Sequence, residues 1–238
     1  MKYFFFTSPV SGESSSDIPV SPPGLWVKDV FDRIAAVICL VLLLPALVVI
    51  ALVIRFFSHG PAFYRQRRVG RNGVPFKVLK FRTMIVDAEH VGLGMKLADQ
   101  DSRITREGKF LRQWSLDELP QLVNVAKGEM SFIGPRPTLQ YQVDNYSEHQ
   151  RRRLLMKPGI TGWAQVNGRN AIPWEDRIEL DVWYVDNWSL LLDAKIFFRT
   201  LWVVMKREDV YSGVGMSHDF TGSEPSPQKV GEHTREGT

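Results

Sequence analysis

Two adjacent carboxylates, Asp117 and Glu118, stand in the segment SLDELPQL and are the residues best suited to chemistry. Ser115 followed three residues later by Glu118 matches a capping box, which predicts that both acids lie in the first turn of a helix. A helix N-terminus favours negative charge and offers free N–H groups to a phosphate, so Asp117 is predicted to be an ionised nucleophile. Neighbouring helical residues point about 100° apart, so the two acids are predicted to have different tasks, one attacking phosphorus while the other holds a hard cation such as Mg²⁺. A structural role is the alternative, because a helix dipole stabilises first-turn acids by ~0.3–1 kcal/mol each.

Several cations are candidates for binding a substrate phosphate. Arg136 stands between Pro135 and Pro137, whose fixed φ angles predict a stiff loop that suits bidentate phosphate binding. A rigid turn with a solvated arginine is the alternative. If the fold brings them together, further positive charge comes from Lys80, Arg82, Arg112 and Arg169.

The motifs of other enzyme classes are missing or weak. The five histidines are scattered, and the single cysteine, Cys39, excludes both a cysteine zinc cluster and a disulfide within this chain. The sequence has no P-loop, no dinucleotide-binding glycine fingerprint and no nucleophile elbow. Asp99 and Asp101 match the D-x-D pattern of metal-dependent glycosyltransferases, which is short enough to arise often by chance.

An uncharged apolar run over residues 34–54 is as long as the ~20 residues that a membrane-crossing helix needs. Pro45 lies near its middle and removes a helical hydrogen bond, which predicts a bend. Basic residues flank both ends of the run, and the positive-inside rule places both flanks on the cytoplasmic side. A re-entrant helix that turns at Pro45 satisfies both observations. A straight or mildly kinked span is the alternative, since membrane helices tolerate proline.

The remaining patterns predict one main domain in this chain of 238 residues with a net charge of +4. Residues 1–27 and 212–238 are rich in Ser, Pro and Gly and are predicted to be a disordered leader and a disordered tail. Asn72 and Gly73 separate two β-rich segments and predict a hairpin. Helices are predicted over residues 105–113, 115–126, 141–156 and 174–187. Residues 190–206 predict either an amphipathic helix at the membrane interface or a core helix.

Six motifs in order resemble those of the bacterial sugar transferase family, the monotopic phosphoglycosyl transferases. They are the proline-broken apolar run, KFRTM, SLDELPQL, NVAKGEMSFIGPRP, KPGITGWAQVNGRN and ELDVWYV, and they span residues 28–211. The resemblance is to the short, single-domain form. It implies an α+β fold with a re-entrant membrane helix (28–55), a small β-hairpin and a mainly helical cytoplasmic catalytic domain (56–211) with amphipathic interfacial helices. Leu44 departs from the family, which commonly has Ser before Pro45, and this bears on the bend angle.

The resemblance implies a two-step transfer at the bacterial inner membrane, with the catalytic domain facing the cytoplasm. Asp117 attacks the β-phosphate of a UDP-sugar and UMP leaves. Polyprenyl (undecaprenyl) phosphate then accepts the sugar 1-phosphate from the aspartyl intermediate. Mg²⁺ at Glu118 and arginines such as Arg136 supply charge neutralisation. The implied partners are both substrates and membrane lipid, without nucleic acid, and a homodimer and downstream glycosyltransferases are further candidates. The product begins the assembly of an exopolysaccharide or a lipopolysaccharide.

Two rival functions predict different observations. A metal-dependent membrane glycosyltransferase that uses Asp99 and Asp101 would release UDP in place of UMP. A non-enzymatic, membrane-anchored basic module would bind anionic lipid or nucleic acid through residues 65–82. That module predicts salt-sensitive binding without turnover, and it leaves Asp117 and Glu118 without a role.

Overall fold

The computed structural model describes residues 24–88, 101–168 and 172–206. Most of the predicted leader, the predicted tail, Asp99 and Arg169 lie outside these ranges. In chain order the helices and strands are α1 (Leu25–Phe57), β1 (Phe63–Val69), β2 (Pro75–Phe81), α2 (Arg106–Gln113), α3 (Leu122–Lys127), β3 (Ser131–Ile133), α4 (Gln140–Asp144), α5 (Glu148–Arg151), β4 (Gly159–Thr161), α6 (Trp163–Val166), α7 (Trp174–Asp186) and α8 (Leu190–Lys206). Short 3-10 segments cover Arg71–Gly73, Leu116–Gln121 and Arg152–Leu155. Helices with small β elements confirm the α+β class.

Helix α1 packs on the rest of the domain along one side. The inward stripe recurs every three or four residues, as an α-helix requires. It comprises Leu25, Lys28, Asp32, Ala36, Leu40, Leu43, Leu47, Ile50 and Ile54. The other faces expose apolar side chains such as Leu42 and Phe56. The helix starts three residues before the predicted boundary and runs on through Leu44 and Pro45, so the predicted break is not confirmed.

The predicted hairpin is confirmed. Strands β1 and β2 pair antiparallel, from Phe63 opposite Phe81 at the open end to Val69 opposite Pro75 at the turn. In the turn Asn72 adopts a left-handed conformation with φ 55°, which Asn tolerates better than most residues. Phe76 and Val78 of β2 are buried against α1 and α3.

Helix α2 begins where predicted, because the Thr105 side chain caps it by accepting a hydrogen bond from the Gly108 N–H at 3.0 Å. The predicted helix over residues 115–126 is instead a 3-10 segment, Leu116–Gln121, followed by α3. The predicted capping box is wrong: Ser115 has φ 55°, and its side chain makes no capping hydrogen bond. The Glu118 carboxylate is used elsewhere.

The predicted helix over residues 141–156 is divided into α4, α5 and the 3-10 segment Arg152–Leu155. The division follows from Ser147, whose hydroxyl accepts from the Gln150 N–H at 3.2 Å and so starts a new helix. Helix α7 confirms the predicted helix over residues 174–187 to within one residue. Helix α8 buries Ile196 and Val203 and exposes large apolar side chains, including Phe198 and Trp202.

Candidate active site

The carboxylate pair lies in the 3-10 segment Leu116–Gln121, between α2 and α3. Pro120 and Gln121 are buried and anchor the end of this segment. Leu116 packs into the apolar cluster that Ile54 of α1 forms with Phe81 and Leu111. Asp117 is therefore held next to the C-terminal half of the long apolar helix.

Glu118 forms ion pairs with two cations. Its Oε1 atom accepts hydrogen bonds from Lys80 Nζ at 2.7 Å and from Arg136 Nη2 at 3.3 Å. Burial by itself would raise the pKa of Glu118, but the charges of Lys80 and Arg136 and their hydrogen bonds lower it to about 2. Glu118 is thus ionised across the physiological pH range. It joins the hairpin to the loop of residues 135–138 that carries Arg136, called the arginine loop below.

The pKa of Asp117 shifts in the direction opposite to that of Glu118. Burial raises the pKa of its carboxyl above the ordinary value, and the negative charge of Glu118 adds to the rise. The positive charges of Lys80, Arg112 and Arg136 act against it. Asp117 is therefore more basic than an exposed aspartate and lies within the field of three cations, which suits a nucleophile for phosphorus.

The remaining predicted cations fall in different places. Arg112 contributes to the field at Asp117 and is oriented by a 2.8 Å hydrogen bond from its Nε atom to Thr83 Oγ1. Arg82 is buried, and its Nη2 atom donates to the carbonyl and hydroxyl oxygens of Ser58 at 3.0 Å and 2.9 Å. Arg82 thus ties β2 to the end of α1 rather than to the carboxylate pair. Its phosphate-binding role stays a prediction, as does that of Arg169.

Sequence reasoning missed a buried ion pair behind the arginine loop. Arg153 and Asp181 are each 1% exposed and form a direct salt bridge. A signal was present for Asp181, which shares a helix face with the apolar Ile178 and Val185. No signal singled out Arg153 from the three consecutive arginines, because spacing alone does not tell which of them is buried.

Arg177 on α7 was also not predicted. Its guanidinium lies over the Trp174 ring at 5.3 Å, and its Nε atom donates to the Ile172 carbonyl. Burial, with the like charge of Arg136, lowers the pKa of Arg177 to about 10. Arg177 therefore adds positive charge on the side of the site where Arg136 lies.

Asp101 is committed to a structural contact. It is buried, and its two carboxylate oxygens accept hydrogen bonds from the side chain of Arg103, the shortest at 2.6 Å. Arg103 also donates to the Ala88 carbonyl at 2.8 Å. These contacts hold Asp101 in a structural role. They argue against the glycosyltransferase hypothesis, in which Asp99 and Asp101 form a D-x-D motif.

The sequence model of the bacterial sugar transferase family matches residues 24–207. The chain belongs to this family. The match covers all the residues that the structure describes, including both carboxylates and the cations around them.

Three bacterial sugar transferases illustrate the similarity. EpsL of Bacillus subtilis is 44% identical over 198 residues, which are 83% of this chain and 96% of EpsL. The undecaprenyl-phosphate galactose phosphotransferase of Salmonella typhimurium is 37% identical over 200 residues, 78% of this chain and 42% of that protein. The UDP-glucose:undecaprenyl-phosphate glucose-1-phosphate transferase of Xanthomonas campestris is 43% identical over 192 residues, 77% of this chain and 40% of that protein. The chain thus spans less than half the length of the last two.

The donor set of this sugar transferase fits a magnesium ion that is shared with a substrate. Within the described residues, no group of three or more His, Cys, Asp or Glu side chains is arranged to hold a metal. Mg²⁺, however, is commonly bound by one or two carboxylates together with substrate phosphates. Glu118, whose carboxyl is held ionised, supplies one carboxylate of this kind.

A long apolar helix anchors the sugar transferase to a membrane. Among the described residues, α1 is the helix that is long and apolar enough to cross a bilayer, and little of its most apolar stretch is buried by the protein. A buried core helix would have most of its surface covered. The uncovered faces therefore mark α1 as a segment in contact with lipid.

Proposed function

We propose that this chain transfers a sugar 1-phosphate from a UDP-sugar to polyprenyl phosphate, with Asp117 as the covalent nucleophile. The observation that carries the proposal is the pair Asp117–Glu118, in which the pKa of one carboxyl is raised and that of its neighbour is lowered. Such a difference separates the roles of two carboxylates in one site. The names of the Salmonella and Xanthomonas relatives describe the same class of transfer.

The proposed chemistry has two displacements at phosphorus. In the first, a carboxylate oxygen of Asp117 bonds to the β-phosphorus of the UDP-sugar, and the bond to the bridging oxygen breaks, so UMP leaves. In the second, a phosphate oxygen of the lipid bonds to the same phosphorus, and the Asp117 carboxylate is released. The product is polyprenyl-diphosphate-sugar, and no net change is left on the enzyme.

The cations of the site are suited to both displacements. Phosphoryl transfer needs positioning and charge stabilisation more than covalent assistance. Lys80, Arg112 and Arg136 lie close enough to Asp117 to act on its ionisation, so they also act on phosphate oxygens held there. A Mg²⁺ ion held by Glu118 would neutralise further charge on the diphosphate. Arg136 is 45% exposed, which leaves its guanidinium accessible to substrate.

The position of the site supports a lipid acceptor. Leu116, which directly precedes the proposed nucleophile, packs with Ile54 of the apolar helix α1. A phosphate at the membrane surface would therefore reach Asp117 while its polyprenyl chain stayed in lipid. A water-soluble acceptor would not require this placement.

We further propose that α1 enters the inner membrane from the cytoplasmic side and returns to it. Near its first turns, Lys28 Nζ donates to Asp193 Oδ2 of α8 at 2.7 Å. Near its end, Ile54 is buried against Phe81 and Leu111. Both ends thus contact one body, which supports a helix that does not carry its ends to opposite sides. The exposed aromatic residues of α8, with Lys195 on the same helix and Lys206 over the Trp202 ring, suit the membrane interface.

The proposal is tested by incubating purified enzyme with a panel of UDP-sugars and measuring UMP. With lipid acceptor, turnover should release UMP. Without it, intact-protein mass spectrometry should show one sugar phosphate on Asp117. Asp117→Asn should abolish both, because an amide is a poor nucleophile. Its melting temperature should not fall, because burial disfavours the charge that the substitution removes.

Asp176→Asn is the matched control, since Asp176 is an exposed acid in the first turn of α7. This variant should retain UMP release and the adduct. An adduct on another residue, or a near-normal rate in Asp117→Asn, would contradict the nucleophile assignment. Release of UDP in place of UMP would indicate a glycosyltransferase instead.

A further inference from the structure

The loop that carries Arg136 is held at each of four consecutive carbonyl oxygens. The donors lie in three other parts of the fold. The Gly159 N–H donates to the Pro135 oxygen at 2.9 Å, and Arg153 Nη2 donates to the Arg136 oxygen at 3.0 Å. From β1, Arg68 Nη1 donates to the Pro137 oxygen at 3.4 Å and the Val69 N–H to the Thr138 oxygen at 2.9 Å. The loop backbone is therefore fixed, while the Arg136 side chain reaches out to Glu118.

Of the two side chains among these donors, Arg153 is the buried one and Arg68 is partly exposed. The Arg153 guanidinium is 1% exposed and contacts three partners: the Asp181 carboxylate, the Tyr146 hydroxyl and the Arg136 carbonyl. The Arg153 side chain comes from the 3-10 segment Arg152–Leu155, and Asp181 comes from α7. One planar guanidinium thus joins two elements to the backbone of a residue in the proposed site.

The packing of the core does not by itself require an ion pair at this place. Removing two charges from water is expensive, and buried ion pairs can often be replaced by apolar residues without loss of stability. The contact to the Arg136 carbonyl is what an apolar pair cannot provide. Lysine also fails to provide all three contacts, because its single ammonium group lacks the fork geometry of a guanidinium.

We propose that Arg153, oriented by Asp181 and Tyr146, is a positioning residue that sets where Arg136 meets the substrate phosphate. The inference rests on the proposed sugar-phosphate transfer. Arg153 is buried beneath the loop and acts only through Arg136. A displacement of about 1 Å at a positioned group can reduce a rate about 100-fold, so a change at Arg153 should be visible in catalysis.

The test is a double-mutant cycle of Arg153→Lys and Arg136→Ala, with UMP release from a UDP-sugar as the assay. Arg153→Lys keeps a positive charge beside Asp181, so the enzyme should fold, with a melting temperature below that of the wild type because lysine cannot replace all the buried hydrogen bonds of the guanidinium. Its kcat/KM should fall by about 10-fold to 100-fold. In the Arg136→Ala background, the same substitution should change kcat/KM by less than about twofold, because the side chain it positions is gone.

Arg152→Lys is the matched control. Arg152 is the adjacent arginine and pairs with Asp186 on the same helix α7, but at 33% side-chain exposure on the surface. This variant should retain wild-type rates. It therefore separates the loss of an arginine in this segment from the loss of the contact to the Arg136 carbonyl.

The outcomes are distinct. A wild-type rate in Arg153→Lys, or an equal fold-loss in both backgrounds, would overturn the positioning role while leaving the proposed function intact. No UMP release by wild-type enzyme would overturn the proposed function and this inference with it. If Arg153→Lys does not fold, Tyr146→Phe removes one partner of the guanidinium and retains the ring. Its loss of rate should likewise vanish in the Arg136→Ala background, and persistence there would overturn the proposal.

Discussion

Asp117 and Glu118 are neighbours in sequence but have different electrostatic surroundings. Glu118 receives hydrogen bonds from Lys80 and Arg136, and these hold its pKa at about 2. Asp117 is close to the same cations, yet burial and the charge of Glu118 raise its pKa. Burial is therefore the main reason that Asp117 is a stronger base, and the ionised carboxylate of Glu118 adds to it. In the proposed mechanism, the basicity of the nucleophile Asp117 therefore depends in part on Glu118.

The pH dependence of the first displacement should report the ionisation of these two carboxyl groups. The attack needs ionised Asp117, so the single-turnover rate of UMP release without lipid should fall as the pH falls through the raised pKa of Asp117. The midpoint should lie above the pKa of about 3.9 for an ordinary aspartate. Because the two carboxyls interact, the midpoint belongs to the pair. A midpoint at or below the ordinary value would contradict the burial of the nucleophile.

Glu118→Gln should act on both the pH dependence and the metal dependence. Without the negative neighbour, the midpoint for Asp117 should move to lower pH. If Glu118 holds Mg²⁺, the variant should need a higher Mg²⁺ concentration and react more slowly, and EDTA should stop the wild-type enzyme. Glu148→Gln is the control, since Glu148 is exposed on α5. Full adduct formation by wild-type enzyme in excess EDTA would remove the metal from the proposal.

At the scale of elements, Asn124 joins α3 to strand β2. Its Oδ1 atom accepts from the Leu79 N–H at 3.0 Å, and its Nδ2 atom donates to the Lys77 carbonyl at 2.8 Å. An amide side chain thus provides the hydrogen bonds that a third strand would give to the hairpin. Leu79 directly precedes Lys80, which pairs with Glu118, so this contact also sets one side of the site.

Asn124→Ala should destabilise the protein by about 2–4 kcal/mol, because it leaves two part-buried backbone groups without partners. Thermal unfolding of the purified variant measures the effect. Asn145→Ala is the control: Asn145 is exposed and bonds only locally, to the Tyr141 carbonyl, so its loss should change stability by less than about 0.5 kcal/mol. Equal melting temperatures for both variants would show that the hairpin does not depend on Asn124.

Local sequence signals predicted the elements whose ends carry a clear turn or N-cap residue. The Asn72–Gly73 turn identified the hairpin, and Thr105 marked the start of α2. The capping box failed because tertiary ion pairs took the Glu118 side chain that a local cap would have used. The predicted helix over residues 141–156 failed because its periodic pattern hid a second start signal at Ser147. Contacts between distant elements, such as Arg153 with the arginine loop, have no local pattern to reveal them.

At the scale of the whole molecule, the long helix and the globular body form one unit. Helix α1 has 33 residues, which corresponds to about 50 Å at 1.5 Å per residue. Its first turns meet α8 through Lys28 and Asp193, and its last turns meet β2 and α2 through Ile54. A helix crossing upright would place its ends on opposite sides of a hydrocarbon layer about 30 Å thick. Contacts at both ends with a single body therefore favour one side for both.

Single-cysteine labelling tests whether both ends of α1 face the cytoplasm. In a Cys39→Ser background, Trp26→Cys and His59→Cys place thiols at exposed positions beside the two ends of the helix. Both should react with a membrane-impermeant maleimide in inverted vesicles and not in intact spheroplasts. Glu148→Cys, exposed in the globular body, marks the cytoplasmic side, and Leu44→Cys should stay unlabelled from either side because its side chain faces lipid. If Trp26→Cys reacts only in spheroplasts while His59→Cys reacts only in inverted vesicles, the helix spans the membrane and the re-entrant topology is wrong.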